Sequence, residues 1–358
     1  MKDLHGGNIY KFQREGKNNI LDYSSNINPL GVPQKFIDIA KENFDKLVNY
    51  PDPYYVELRK KISEFNSVNM DNIIVGNGAT EILFLYIRAL KPRKVLILAP
   101  CFAEYARALK SISTKIEYFE LKENDNFYPN IINLKKEIEN NNYDLLLLCN
   151  PNNPTGQFIK LEDIKEIVKT CENKNTKIFI DEAFIEFIEN WKEKTVSLLK
   201  NKNVFIMRAF TKFFAIPGLR LGYGIGFDED ILKKMWEEKE PWTVNTFANL
   251  AGLIMLDDKE YIKKSEKWIL EEKEFMYKEL SEFQYIKAYK TECNFILIKL
   301  TNISSESLRE KMIEKNILIR DASNFKFLDY HFVRLAIKDR KSNLKMLETL
   351  AEFVEYRG

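Results

Sequence analysis

Four short apolar runs constrain this chain more than anything else in it. They are Val95-Leu96-Ile97-Leu98, Leu145-Leu146-Leu147-Leu148, Ile178-Phe179-Ile180 and Val204-Phe205-Ile206-Met207. Each is of strand length and apolar at every position. That pattern belongs to strands covered on both faces, the condition of a parallel sheet. Between the second and third runs, Leu161, Ile164, Ile167, Val168 and Cys171 recur at helical spacing. Strand, helix and returning strand predict a doubly wound α/β domain with helices on both sides of a mostly parallel sheet.

Such sheets bind ligands at the carboxyl ends of their strands. The segments that follow the four runs are therefore where chemistry is expected. They contain Pro100-Cys101-Phe102, Asn150-Pro151-Asn152-Asn153-Pro154-Thr155-Gly156, Asp181-Glu182-Ala183-Phe184, and Arg208 through Lys212. Lys212 sits between Thr211 and Phe213-Phe214, with Arg220 at the mouth of the glycine-rich apolar run Leu221 to Gly224. Apolar surroundings push a lysine toward its neutral, nucleophilic form, which Schiff-base chemistry with an aldehyde requires. Read alone, Lys212 would be a surface lysine lying over an apolar face.

At 358 residues, two domains are expected. The large one should span 46–260. A smaller α+β unit should combine 1–45 with 261–358, built from a long helix at 262–280, strands at 294–300, 317–320 and 332–337, and helices at 305–314 and 342–355. Before Lys46 the chain reads as loop, with a turn at Asn28-Pro29-Leu30-Gly31. Lys+Arg 55 against Asp+Glu 53 leaves +2, so no overall field recruits nucleic acid or an acidic membrane. No apolar stretch is long enough to span a bilayer, and Met1-Lys2-Asp3-Leu4-His5 carries no apolar leader core. Cys101, Cys149, Cys171 and Cys293 are scattered, and His5 and His331 are the only histidines. Neither a disulfide framework nor a metal is expected, and a reducing cytoplasmic location is.

Gly76-Asn77-Gly78-Ala79-Thr80-Glu81 precedes a helical pattern. It departs from a dinucleotide fingerprint at Glu81, lacks a long preceding strand, and lacks the ending of a Walker loop. A helix N-terminus holding a single phosphate suits it better.

Taken together, these motifs resemble the fold type I pyridoxal-phosphate family, the class I and II aminotransferases. The resemblance runs over nearly the whole chain and implies the aspartate aminotransferase-like fold with pyridoxal 5'-phosphate as cofactor. It implies Lys212 as the Schiff-base lysine and Asp181 as partner of the ring nitrogen. Asn153 would donate to the ring's 3-oxygen, and Phe102 would stack on the ring. Gly78, Ala79, Thr80, Thr211 and Arg220 would hold the phosphate. Tyr50, in Tyr50-Pro51-Asp52-Pro53-Tyr54-Tyr55, would reach in from the second subunit of a homodimer. Phe184 stands where many aminotransferases carry a tyrosine that bonds the 3-oxygen.

Within the family, several runs are similar to L-threonine-O-3-phosphate decarboxylases of cobalamin synthesis. They are His5-Gly6-Gly7-Asn8, Asp22 to Gly31, Pro241-Trp242-Thr243-Val244-Asn245, Ile319 to Phe325 and Val333-Arg334-Leu335-Ala336. Histidinol-phosphate aminotransferases are the alternative, and a non-catalytic cofactor-binding regulatory module a remote third. The first two imply a phosphorylated amino substrate and a second anion site, expected at His5, Asn28, Arg320 and Arg334.

Overall fold

The computed structural model describes residues 5–356. Its centre is a seven-stranded sheet. In spatial order the strands are Ile73–Asn77, Leu221–Gly226, Val204–Ala209, Lys177–Asp181, Leu145–Cys149, Lys94–Ala99 and Lys115–Glu120. Pairing is parallel from Lys115–Glu120 as far as Val204–Ala209. Leu221–Gly226 runs antiparallel to both of its neighbours.

The four apolar runs all lie in this sheet. Side chains alternate across it, so Val95, Ile97, Leu145 and Leu147 join one apolar cluster, while Leu96, Leu98, Leu146 and Leu148 join another. Helices Ala79–Leu90 and Glu229–Glu238 cover the first face. Ile131–Asn140 and Leu161–Asn173 cover the second. Burying both faces explains why these strands carry no polar alternation.

Two strands of this sheet escaped the sequence reading. Lys115–Glu120 is an edge strand of mixed polarity. Ile73–Asn77, five residues long, directly feeds the glycine turn, before which the sequence predicts no long strand.

A second, four-stranded sheet orders Arg320–Asp321, Phe332–Ala336, Phe295–Leu300 and Ile286–Ala288, all antiparallel. The 23-residue helix Lys259–Ser281 precedes it in the chain. The strand expected over 317–320 is split. Ile317–Leu318 instead pairs in parallel with Leu21–Asp22, bringing an early segment of the chain against a late one. The stretch before Lys46 is also more ordered than expected, with helices at Ile9–Arg14 and Gln34–Lys41.

Candidate active site

A cavity of about 240 Å³ opens where the carboxyl ends of the central strands face the small sheet. Lys212 lines it from the short helix Phe210–Phe213, which begins as strand Val204–Ala209 ends. Phe210, Phe213 and Phe214 are buried around it, and its carbonyl accepts from the Asn28 amide at 3.2 Å. Burial, joined by the nearby Arg334 and Arg220, lowers the lysine to about 8. A substantial neutral fraction near that pH makes it a usable nucleophile.

Asp181, the last residue of its strand, is 5% exposed and lines the same cavity. Its carboxylate accepts from the Tyr105 hydroxyl at 2.6 Å and the Ala183 amide at 2.8 Å. Burial nonetheless raises it to about 6, because those bonds only partly offset lost hydration. Tyr105 was not read as a site residue. Its only signal was its position just past the strand end at Pro100.

Glu182 takes a different role from its neighbour. It receives both Nε and Nη2 of the fully buried Arg208, at 3.0 and 2.8 Å, and the Thr195 hydroxyl at 2.9 Å.

At one end of the cavity, Ala79 and Thr80 open the helix Ala79–Leu90, and Thr211 and Arg220 stand with them. The preceding Gly78 has φ +77, and a Cβ there would lie 2.5 Å from Arg220 Nη2. Gly222 is required for a different reason, since its Cβ would meet the Ala79 amide nitrogen at 2.3 Å. Glu81 braces the turn by accepting from the Asn77 amide and from the buried Lys239, the latter at 2.8 Å. The result is a helix N-terminus beside a guanidinium and two hydroxyls, a setting for one phosphate.

The opposite wall belongs to Arg334, Arg320, His5, Ser24 and Phe325. Arg320 and Arg334 are direct cross-strand partners on the small sheet. Arg334 donates to Asn153 Oδ1 at 2.6 Å and to the Ser24 carbonyl at 2.7 Å, while its buried Nε has no partner among the described residues. Burial, and secondarily Arg320, lower Arg334 to about 9, so the site is short of negative charge. His5 bonds Glu104 at 2.9 Å beside Phe102. Phe102 and Phe184 also line the cavity, the latter packed edge-on against Phe295.

Two expected site residues stand elsewhere. Asn28 does not line the cavity. Its amide donates to the Phe213 carbonyl at 2.8 Å and to Ser265 Oγ at 2.7 Å, so it supports the backbone beneath Lys212 rather than facing substrate. Tyr50 lies outside this chain's cavity, 80% exposed and packed on Trp242.

An amine of depressed basicity, a buried carboxylate, a phosphate-sized helix terminus and a pair of arginines thus share one cleft. Residues 18–350 match the family of class I and II aminotransferases. The chain belongs to that family. Within it, this member is 44% identical over 353 residues to a protein of Caldanaerobacter subterraneus subsp. tengcongensis, covering 98% of this chain and 94% of that one. The relative's name assigns it threonine-phosphate decarboxylation provisionally. The threonine-phosphate decarboxylase of Salmonella typhimurium is 34% identical, over 97% and 95% of the two chains. Among solved structures, the histidinol-phosphate aminotransferase of Clostridium acetobutylicum superposes with a TM-score of 0.87 at 38% identity, covering 93% of this chain and 98% of its own. This aminotransferase-family fold is therefore matched along nearly its full length.

Proposed function

We propose that the chain is a pyridoxal 5'-phosphate-dependent decarboxylase of L-threonine O-3-phosphate, releasing carbon dioxide and aminopropanol phosphate. The family and its fold imply the cofactor, and the cavity's residues fit it. When bound, the cofactor supplies an aldehyde and an electron-withdrawing ring that stabilises negative charge at the substrate's α-carbon. Gly78, Ala79, Thr80, Thr211 and Arg220 would hold its phosphate. Asp181 would accept from its protonated ring nitrogen, so the ionised carboxylate gains the cation it lacks in the bare site. Asn153, its oxygen already engaged by Arg334, keeps amide N–H groups to donate to the 3-oxygen. Phe102 would cover one ring face. Lys212 would carry the cofactor's aldehyde carbon until the substrate amine replaces it.

The observation that carries the substrate class is the Arg320–Arg334 pair. Two guanidinium groups share one wall, and among the described residues the buried Nε of Arg334 has no partner and no carboxylate pairs with it. A substrate bearing both a carboxylate and a phosphate ester supplies two anions, and arginine forks suit either group. His5 stands beside them. The names of the 44% and 34% identical relatives support the same reading.

The likeness to the Clostridium structure favours a second reading, a transaminase using histidinol phosphate with 2-oxoglutarate. Incubation with threonine phosphate separates the two. Carbon dioxide and aminopropanol phosphate are expected without any oxo acid. Turnover of histidinol phosphate alone, and only when 2-oxoglutarate is present, would overturn the decarboxylase reading.

The assembly we infer is a homodimer. Phe44, Leu47, Val48, Tyr50, Tyr54 and Trp242 are apolar side chains left exposed on one chain, with Tyr50 packed on Trp242, and exposed apolar surface of this kind suits a subunit interface. Tyr50 of a second copy would then reach this cavity. Four buried free thiols support a cytoplasmic setting, and no helix of the described residues is long and apolar enough to cross a membrane.

A further inference from the structure

The segment Pro241-Trp242-Thr243-Val244-Asn245 does not line the Lys212 cavity, yet it is tied to the backbone beside the phosphate cup. Its Asn245 side chain donates to the carbonyl of Leu219, the residue before Arg220, at 2.9 Å. Its Val244 amide donates to the hydroxyl of the buried Tyr55 at 3.1 Å. Just ahead of this segment, Lys239 follows the helix Glu229–Glu238. Only 2% of its side chain is exposed. Its ammonium donates to Glu81 Oε1 at 2.8 Å and to the Thr243 hydroxyl, and it stands 5.8 Å from the centre of the Tyr55 ring.

The position of Glu81 gives that lysine its weight. Glu81 lies in the first turn of the helix Ala79–Leu90, and its Oε2 accepts from the amide of Asn77, next to Gly78. A carboxylate there and a cofactor phosphate would both draw on the positive end of one helix, and like charges so placed repel each other. Among the described residues, Lys239 is the single cation within ion-pair distance of Glu81. Burial lowers Lys239 below a lysine's ordinary value, and Glu81 works against that shift. Neither side chain lines the Lys212 cavity.

We propose, on the pyridoxal phosphate reading of that cavity, that Lys239 is a positioning residue which cancels the charge of Glu81 and so keeps the cup receptive to a phosphate. A bracing role alone would hold the turn equally for any ligand. Charge compensation instead acts on a charged ligand and spares a neutral one.

The test reads affinity from Schiff-base absorbance in the full-length, cofactor-free protein. Its probes are pyridoxal 5'-phosphate and pyridoxal, which lacks the phosphate. Lys239→Met removes the charge and keeps an apolar stem. It should weaken pyridoxal phosphate about tenfold and leave pyridoxal within about twofold of the wild type. Adding Glu81→Gln to that variant removes the uncompensated charge and should restore pyridoxal phosphate binding. Glu81→Gln alone keeps an oxygen for the Asn77 amide and leaves Lys239 positive. It should bind pyridoxal phosphate no more weakly than the wild type. Equal loss of both probes in Lys239→Met, no recovery in the double variant, or weaker pyridoxal phosphate binding by Glu81→Gln would each overturn the proposal. A wild type that forms no Schiff base with pyridoxal phosphate would overturn the cofactor reading, and the proposal with it.

Discussion

Arg334, on a strand of the small sheet, donates to Asn153 at 2.6 Å, on the loop that ends a strand of the large one. One bond therefore couples the anion-binding wall to the residue placed to touch the cofactor ring. Arg334→Lys keeps the charge but loses the fork and this bond. We expect kcat/KM for the phosphorylated substrate to fall about 10- to 100-fold, the worth of a charge-assisted bond of about 1.5–3 kcal/mol. Steady-state kinetics would check it, with KM rising more than kcat falls.

The same guanidinium tunes Lys212. Because the folded lysine is lowered to about 8, its neutral fraction grows as pH rises through that value. The rate at which added pyridoxal phosphate develops its Schiff-base absorbance in cofactor-free protein should climb through about pH 8 and level off above. Arg334→Gln removes a neighbouring positive charge, so the midpoint should move upward. A midpoint that stays put would show that burial and Arg220 set the lysine without Arg334.

Tyr105→Phe removes the hydroxyl that donates to Asp181 while keeping the ring. That bond favours the carboxylate, so its loss should push Asp181 above its value of about 6. Cofactor affinity should drop about tenfold, corresponding to about 1.4 kcal/mol. Dissociation constants from absorbance titration would measure this.

Gly78→Ala places a Cβ against Arg220 in backbone of φ +77. With ψ 164 this is an extended positive-φ conformation that essentially only glycine occupies, and strain there is about 1–3 kcal/mol. The displaced guanidinium should weaken cofactor binding further, with little change in the substrate KM of the loaded enzyme. Equilibrium dialysis of the cofactor would detect the loss.

Glu182→Gln tests stability rather than chemistry. It leaves Arg208 fully buried without its anion. Breaking one half of a buried pair costs about 3–5 kcal/mol. A thermal melt should show a clear fall in Tm, larger than for Glu104→Gln beside the exposed His5.

The sheet was legible because parallel strands buried on both faces must be apolar throughout, and the residues after them must carry the ligand site. Lys212, Asp181 and Asn153 share one cavity for that reason. Other features had no such signature. Lys115–Glu120 sits at the sheet edge, where one side tolerates polar residues. Tyr105 acts through Asp181 across 76 positions of sequence, a pairing visible only once the helix is placed. Asn28 misled because a buried asparagine serves backbone groups as readily as a ligand. Its turn is held by its own side chain, which accepts from the Leu30 amide at 3.1 Å.

The parallel pairing of Leu21–Asp22 with Ile317–Leu318 makes the two halves of the cleft unequal in origin. The cofactor half is drawn from one continuous middle stretch. The substrate half needs His5 from near one end of the chain and Arg320 and Arg334 from near the other. During synthesis, the cup for the phosphate and the lysine can therefore form while the recognition wall still lacks its strands. Substitution of His5 or Arg320 should leave a protein that still takes up the cofactor yet discriminates less among amines. In this fold, chemistry and selectivity can be lost separately.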